Sequence, residues 1–219
     1  MPPGVAETLV KPRLRGVIHQ MAFLLSVPLA IALIAAAHGP RARLGAAVFS
    51  ISVVACFGAS ALYHRVNWRA QVRPWMRRLD HAGVFLLIAG SYTPVCLLTL
   101  SGVLPIVVLA IVWTGAVAAI ILKFAWIGAP KWVAAGIGIG LGWVAVIALP
   151  QLVDRLNPVA VALLMVGGLA YTAGAIIYAR HRPDPVPSVF GYHELFHALT
   201  IVAVACQYTA IAVYVIRAT

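Results

Sequence analysis

Long apolar stretches separated by short polar segments run along the whole chain. Seven of these stretches are long enough for a membrane-spanning helix, which needs about 20 predominantly apolar residues. They cover roughly residues 17–37, 44–64, 79–100, 103–124, 132–149, 158–179 and 192–216. We expect Pro150 to end the fifth stretch, because proline disrupts a helix interior. Since the period-two alternation of transmembrane barrel strands is missing, the pattern predicts an all-α bundle of seven transmembrane helices.

The amino-acid composition agrees with a polytopic membrane protein and excludes a water-soluble domain. Hydrophobic residues make up 63% of the chain, charged residues only 10%, and the mean hydropathy is +1.00. About a quarter of the residues in a soluble domain are charged. The seven spans nearly fill the 219 residues. We therefore expect a single transmembrane domain, residues 1–219, that begins with a short cytoplasmic tail over about residues 1–16.

The distribution of basic residues predicts how the bundle is oriented in the membrane. The net charge is +11, a value that in a soluble protein suggests nucleic-acid binding. Here the basic residues lie in short segments beside apolar spans, where they determine orientation, so we expect no nucleic-acid partner. Placing the N-terminus inside assigns 12 of the 16 Lys and Arg residues to inner segments, and leaves outside only Arg41, Arg43, Arg155 and Arg217. The N-terminus is therefore expected in the cytoplasm and the C-terminus outside.

A few ionisable residues lie within the predicted spans, where they are costly and usually functional. His64 ends the second span, Asp80 and His81 begin the third, and His193 and His197 begin the seventh. With the predicted topology, all of them lie on the cytoplasmic side at a similar depth. His81 is rotated by about 100° from Asp80 around the helix, so we expect it to be a structural hydrogen-bonding residue. The others are candidates for one shared site.

The spacing of these residues points to a metal site. His193 and His197 are four residues apart, as are Ser60 and His64, so each pair shares one helical face. Two imidazoles at this spacing can bind one metal ion, and His64 would complete a three-histidine zinc site with an open fourth position. Asp80 would then support a ligand or act as the base for the metal's water. Ser60, about one turn deeper, would hold a water or a substrate oxygen.

Each of these residues also has an ordinary structural explanation. His64 could be interfacial, the pair His193 and His197 could hydrogen-bond at a helix start, and Ser60 could serve helix packing. Asp80 could cap the third helix or pair with a neighbouring arginine. These alternatives stay open at the level of sequence.

The stretch from His193 to His197 also matches H-E-x-x-H, the helical motif of zinc proteases, in which Glu194 would be the general base. A third histidine, His64, and a carboxylate, Asp80, are available at a similar depth. They favour a three-histidine site and leave Glu194 as a bystander near the lipid headgroups. A protease is therefore the least favoured of the functions that we consider.

Three segments together resemble the hemolysin III group of the progestin and adipoQ receptor family: SALYHRVNW (60–68), LDHAGVFLLIAGSYTPV (79–95) and FGYHELFH (190–197). The resemblance implies a seven-helix bundle with a cytoplasmic N-terminus and a Zn²⁺ ion held by His64, His193 and His197. It further implies that Asp80 contacts the zinc through water and that Ser60 belongs to the site. We expect an integral protein of the bacterial inner (plasma) membrane.

The family's site is similar to that of alkaline ceramidases, which implies a zinc-dependent hydrolase acting on a lipid amide or ester. Asp80 and Ser60 would be its catalytic residues and membrane lipids its partners, and no protein partner is predicted. Two alternatives remain. One is a non-enzymatic sensor or regulator of membrane lipids with structural zinc. The other is a pore-forming hemolysin, although the sequence shows no amphipathic pore-lining stretch.

Overall fold

The protein is a bundle of helices in the computed structural model, which describes residues 12–216. The first part of the predicted tail, residues 1–11, and the predicted outer residue Arg217 lie outside this range. The helices are α1 (Val17–Ala36), α2 (Gly39–Arg65), α3 (Arg73–Leu98), α4 (Leu104–Ala125), α5 (Lys131–Trp143), α6 (Ala145–Arg155), α7 (Pro158–Arg180) and α8 (Tyr192–Thr209), which continues as a π-helical turn (Ala210–Val215).

Seven helical segments in the described range are long and apolar enough to cross a membrane, with α5 and α6 together forming one of them. No β-strand is found between residues 12 and 216. The outer surface carries large apolar side chains, such as Leu25, Ile31, Val103 and Ile106, each more than 60% exposed. Such a surface is stable in lipid and unfavourable in water. The predicted all-α, seven-span membrane fold is therefore confirmed.

Helices α2 and α3 form the centre of the bundle and are its most buried spans. Their backbones approach each other at small residues. A Cβ atom on Gly83 would lie 3.0 Å from the Cα of Cys56, and one on Gly90 would lie 2.2 Å from the Oγ of Ser52. Small residues at such contacts let membrane helices pack closely. This packing brings the end of α2 beside the start of α3.

Helix α3 begins earlier than the apolar pattern predicts, at Arg73 instead of near residue 79. Pro74 occupies the second position of the helix, where its missing N–H is not needed. The preceding basic turn is polar and therefore invisible to a search for apolar runs. Asp80 consequently lies inside α3 rather than at its N-cap, which removes the capping explanation for this residue.

The expectation that Pro150 ends the fifth span is wrong. The span continues to Arg155 and is interrupted at Val144, between α5 and α6. Because α6 begins at Ala145, Pro150 falls in its second turn. It therefore removes a single backbone hydrogen bond close to the start of a helix rather than in the middle of a long one.

The hydroxyl of Tyr92 stabilises the interruption between α5 and α6. It lies 3.0 Å from the carbonyl oxygen of Leu141 and 2.5 Å from that of Gly142, and it accepts a hydrogen bond of 2.9 Å from the N–H of Ala145. A break in a helix leaves backbone N–H and C=O groups without their helical hydrogen bonds. Lipid cannot form these hydrogen bonds, so protein groups must do so. A side chain of α3 thus makes the break possible.

Short loops connect the spans, so successive spans are antiparallel and each loop lies at one of two ends. We call the end that carries Arg65, Arg78, Lys131 and Arg180 the basic end. The end of α2 and the starts of α3 and α8 meet here. The position of this end in the cytoplasm remains the prediction made from the distribution of charge.

Candidate metal centre

Three histidines from two helices converge at the basic end of the bundle. His64 lies in the last turn of α2, while His193 and His197 lie one turn apart at the start of α8. The Nε2 atoms of His64 and His193 are 3.2 Å apart. One ring nitrogen from each histidine lies within 4.8 Å of the other two. The structure thus brings together the three residues that the sequence predicts as metal ligands.

The geometry and the chemistry of the three histidines fit a divalent metal ion. Nitrogens bound tetrahedrally to zinc at 2.0–2.1 Å are separated by about 3.3 Å, which matches the distance between His64 and His193. Small ring rotations would bring in His197, which is only 2% exposed. Its Nδ1 is buried without a hydrogen-bond partner among residues 12–216. Buried polar atoms are normally paired, and neutral imidazoles suit zinc and similar transition metals.

Asp80 lies beside this cluster on α3. Its Oδ2 atom is 3.8 Å from the Nε2 of His64 and also 3.8 Å from the Nδ1 of His81. Its side chain is 13% exposed. In the described part of the chain no arginine lies within ion-pair distance of it, so pairing with arginine does not explain its position. The carboxylate of Asp80 thus lies beside His64, one of the three histidines.

His81 is engaged by protein groups at both ring nitrogens, as the sequence predicts for a structural residue. Its Nδ1 lies 2.8 Å from the carbonyl oxygen of Arg77, and its Nε2 lies 3.3 Å from the hydroxyl of Tyr178. These contacts hold the ring against α7. They also leave Asp80 as the residue of this pair that faces the histidine cluster.

Ser60 is buried one turn below His64 and contacts a histidine that is not among the predicted site residues. The Oγ of Ser60 lies 2.8 Å from the Nδ1 of His19, on α1. The ring of His19 stacks on that of His197, with centroids 3.8 Å apart and planes 10° apart. The criterion of similar depth, which selected the other histidines, would also have found His19, since it too lies at the basic end of a span. His19 therefore supports both a predicted ligand and the predicted serine.

Glu194 is fully buried, so the expectation that it lies near the lipid headgroups is wrong. Its carboxylate forms an ion pair with Arg15 and accepts a hydrogen bond of 3.0 Å from the N–H of Gly191. This second contact is half of a capping box at the start of α8. Glu194 therefore stabilises the first turn of the helix that carries two of the histidines.

The segment before α1, residues 12–16, covers the cluster at the basic end. The N–H of Leu14 donates a hydrogen bond of 3.1 Å to the carbonyl of Val189. Gly16 has a φ of +79°, and a Cβ atom at this position would lie 2.5 Å from the Cβ of His64. Glycine is therefore required here by both its conformation and its contact. The segment lies directly against one of the three histidines.

A cavity of about 220 Å³ extends from the histidine cluster into the bundle. At one end it is lined by Ser60, Asp80, His193 and His197. Further along, its walls come largely from α3 and from α5 to α8 and are mostly apolar, with residues such as Leu87, Leu152 and Leu164. The polar cluster thus opens onto a space that is suited to an apolar chain.

Comparison with known proteins agrees with the resemblance noted in the sequence. A family model described as "Haemolysin-III related" matches residues 7–208. The chain is 30% identical over 204 residues to "Hemolysin-3" of Bacillus cereus, covering 92% of this chain and 90% of that protein. It is 26% identical over 205 residues to "Hemolysin-3 homolog" of Bacillus subtilis (strain 168), covering 92% and 93%. No solved structure matches significantly. The chain belongs to the haemolysin-III related family of membrane proteins.

Proposed function

We propose that this protein is a zinc-dependent hydrolase of the bacterial inner membrane that cleaves a lipid amide or ester at its cytoplasmic side. One observation carries the proposal. Three histidines converge beside a largely buried carboxylate, at the mouth of an apolar cavity inside a membrane-spanning bundle. A site that only needed structural metal would require neither the carboxylate nor the cavity.

The residues of the centre divide into binding and proton-transfer roles. His64, His193 and His197 would hold the ion. A bound zinc ion supplies Lewis acidity and lowers the pKa of a coordinated water toward about 7. Asp80, whose Oδ2 lies 3.8 Å from the Nε2 of His64, is placed to accept a proton from a water at the centre. It would then return this proton to the leaving amine or alcohol.

Ser60 and His19 would orient the reacting group of the substrate. The contact with His19 fixes the position of the Ser60 hydroxyl at the polar end of the cavity, where it can donate to a substrate oxygen. The apolar cavity walls would hold the acyl chain. Segment 12–16 covers the basic end and would limit the entry of bulk water.

Three other functions predict different behaviour of the same residues. The names of the two Bacillus relatives suggest cytolysis, but an apolar cavity does not favour an aqueous pore. In the protease alternative Glu194 would be the base, yet its carboxylate is occupied by Arg15 and by the N–H of Gly191. A non-enzymatic lipid sensor would keep its zinc and its phenotype when Asp80 is changed.

The test is metal analysis and turnover of the purified full chain in lipid nanodiscs, with a panel of N-acyl amides and acyl esters. We expect stoichiometric zinc and hydrolysis of at least one class. Asp80→Asn should keep the zinc but lose about 100-fold or more in turnover, whereas His193→Ala should lose the zinc. Asp154→Asn, which removes an exposed carboxylate outside the cavity wall, is the matched control and should keep turnover. Glu194→Gln at saturating zinc should also keep it, in contrast to the protease alternative. Stoichiometric zinc without hydrolysis of any substrate in the panel would refute the proposal.

A further inference from the structure

Two polar side chains in the wall of the cavity, remote from the metal centre, have no hydrogen-bond partner. They are Tyr171 on α7 and Gln207 on α8, and both line the cavity. The hydroxyl of Tyr171 and the Oε1 of Gln207 are buried, and neither forms a hydrogen bond within the described range. Leaving such atoms without a partner costs stability. Their presence in a largely apolar wall therefore calls for a ligand group that pairs with them.

The two side chains lie on facing surfaces of α7 and α8. Gly167, one turn before Tyr171, is so close to α8 that a Cβ atom there would lie 3.4 Å from the Cγ of Gln207 and 3.2 Å from the carbonyl oxygen of Ala203. Along α8, Gln207 is ten residues from His197, which corresponds to roughly 15 Å of helical rise. Tyr171 is seven residues, or roughly 10 Å of helical rise, from Tyr178, whose hydroxyl lies 3.3 Å from the Nε2 of His81. The polar pair therefore lies about 10–15 Å from the polar end of the cavity, measured along the helices.

We propose that Tyr171 and Gln207 form a second recognition point, which binds a hydroxyl or amide group carried by the acyl chain of the ligand. This inference rests on the proposed function, because it takes the other end of the ligand to lie at the metal centre. A chain hydroxyl can accept a hydrogen bond from the Tyr171 hydroxyl and donate one to the Oε1 of Gln207. The ligand would then be an amphiphile with two polar points separated by an alkyl segment.

This arrangement predicts selectivity. A cavity whose polar groups hydrogen-bond a ligand hydroxyl binds the analogue without that hydroxyl less tightly, because its own polar groups then stay unpaired. An ordered water that bridges Tyr171 and Gln207 is the competing explanation, since buried water commonly satisfies such groups. With water in place, the position of a hydroxyl along the chain would have no effect on binding.

The experiment measures fatty-acid binding to the zinc-loaded full chain in detergent micelles, by displacement of a fluorescent fatty acid. The probes are stearate and positional isomers of hydroxystearate, with the hydroxyl near the carboxylate, in mid-chain or near the methyl end. A fatty acid is the acyl product of amide or ester hydrolysis. We expect the mid-chain isomer to bind about tenfold more tightly than stearate, as one or two net hydrogen bonds allow, and the isomer with its hydroxyl near the carboxylate to show no such gain.

Tyr171→Phe, Gln207→Leu and the double variant should abolish this preference while leaving zinc content and stearate affinity unchanged within about twofold. Their folding should not suffer, because removing an unsatisfied buried polar atom is close to neutral. Tyr214→Phe and Gln151→Leu lie outside the cavity wall and serve as matched controls that keep the preference.

The possible outcomes separate this inference from the proposed function. Equal binding of stearate and all isomers by the unaltered protein, or a preference that survives in the double variant, would overturn the second recognition point and leave the hydrolase proposal standing. Failure of every fatty acid to bind the zinc-loaded protein would overturn both.

Discussion

The buried ion pair between Arg15 and Glu194 should be energetically coupled to the proposed metal centre. Glu194 is 0% exposed and Arg15 is 22% exposed. Removing one partner of a buried pair typically costs about 3–5 kcal/mol, because the remaining charge is left buried. Since Arg15 is partly exposed, we expect Arg15→Ala to cost about 3 kcal/mol, at the lower end of this range.

Glu194→Gln should cost less than Arg15→Ala. A glutamine at this position can still accept the hydrogen bond from the N–H of Gly191, as in other capping boxes. It leaves the charge on Arg15, which can reach water. In the double variant Arg15→Ala/Glu194→Gln no buried charge is left unpaired. We therefore expect its cost to be smaller than the sum of the two single costs by about 2 kcal/mol, within the range for residues in direct contact.

The assay is equilibrium unfolding in mixed micelles, followed by circular dichroism, with zinc content measured in parallel. Arg15→Ala should also lower zinc affinity, because it loosens the first turn of α8, which carries His193. Arg13→Ala, a basic residue of the same segment that forms no ion pair with Glu194, is the matched control. Additive costs of the two single variants would refute the argument, since they would show that the charges do not interact.

Three further substitutions test other contacts. His19→Phe keeps a ring against the histidine cluster but loses the hydrogen bond to Ser60. The variant should retain zinc in metal analysis and lower kcat more than it raises KM. Loss of zinc would show that His19 acts on the metal ligands instead. Tyr92→Phe leaves the backbone groups at the break between α5 and α6 without a partner and should cost about 1–3 kcal/mol in equilibrium unfolding; an unchanged stability would show that lipid or water satisfies them. Gly16→Ala places a Cβ atom 2.5 Å from the Cβ of His64 and should weaken zinc binding in a chelator competition assay. Unchanged zinc affinity would mean that segment 12–16 moves without affecting the site.

The sequence alone determined the helical membrane fold and the depth of its polar residues. Apolar stretches of sufficient length permit only helices or closed barrels in lipid, and their continuous character selects helices. Since successive spans alternate in direction, counting them places His64, Asp80, His193 and His197 at one end. The spacing of four residues in H-x-x-x-H then sets two imidazoles on one face. These steps need only local geometry and the thickness of the bilayer.

The tertiary structure alone decided which side chains meet laterally. Hydropathy describes depth along the membrane normal, but it contains no information on how each helix is rotated or which helices are neighbours. The stacking of His19 on His197, the pairing of Arg15 with Glu194 and the position of Tyr171 in the cavity wall all depend on that rotation. The rotation of each helix is set by close packing at small residues, such as those between α2 and α3. The sequence of a single span does not show which other helix it packs against.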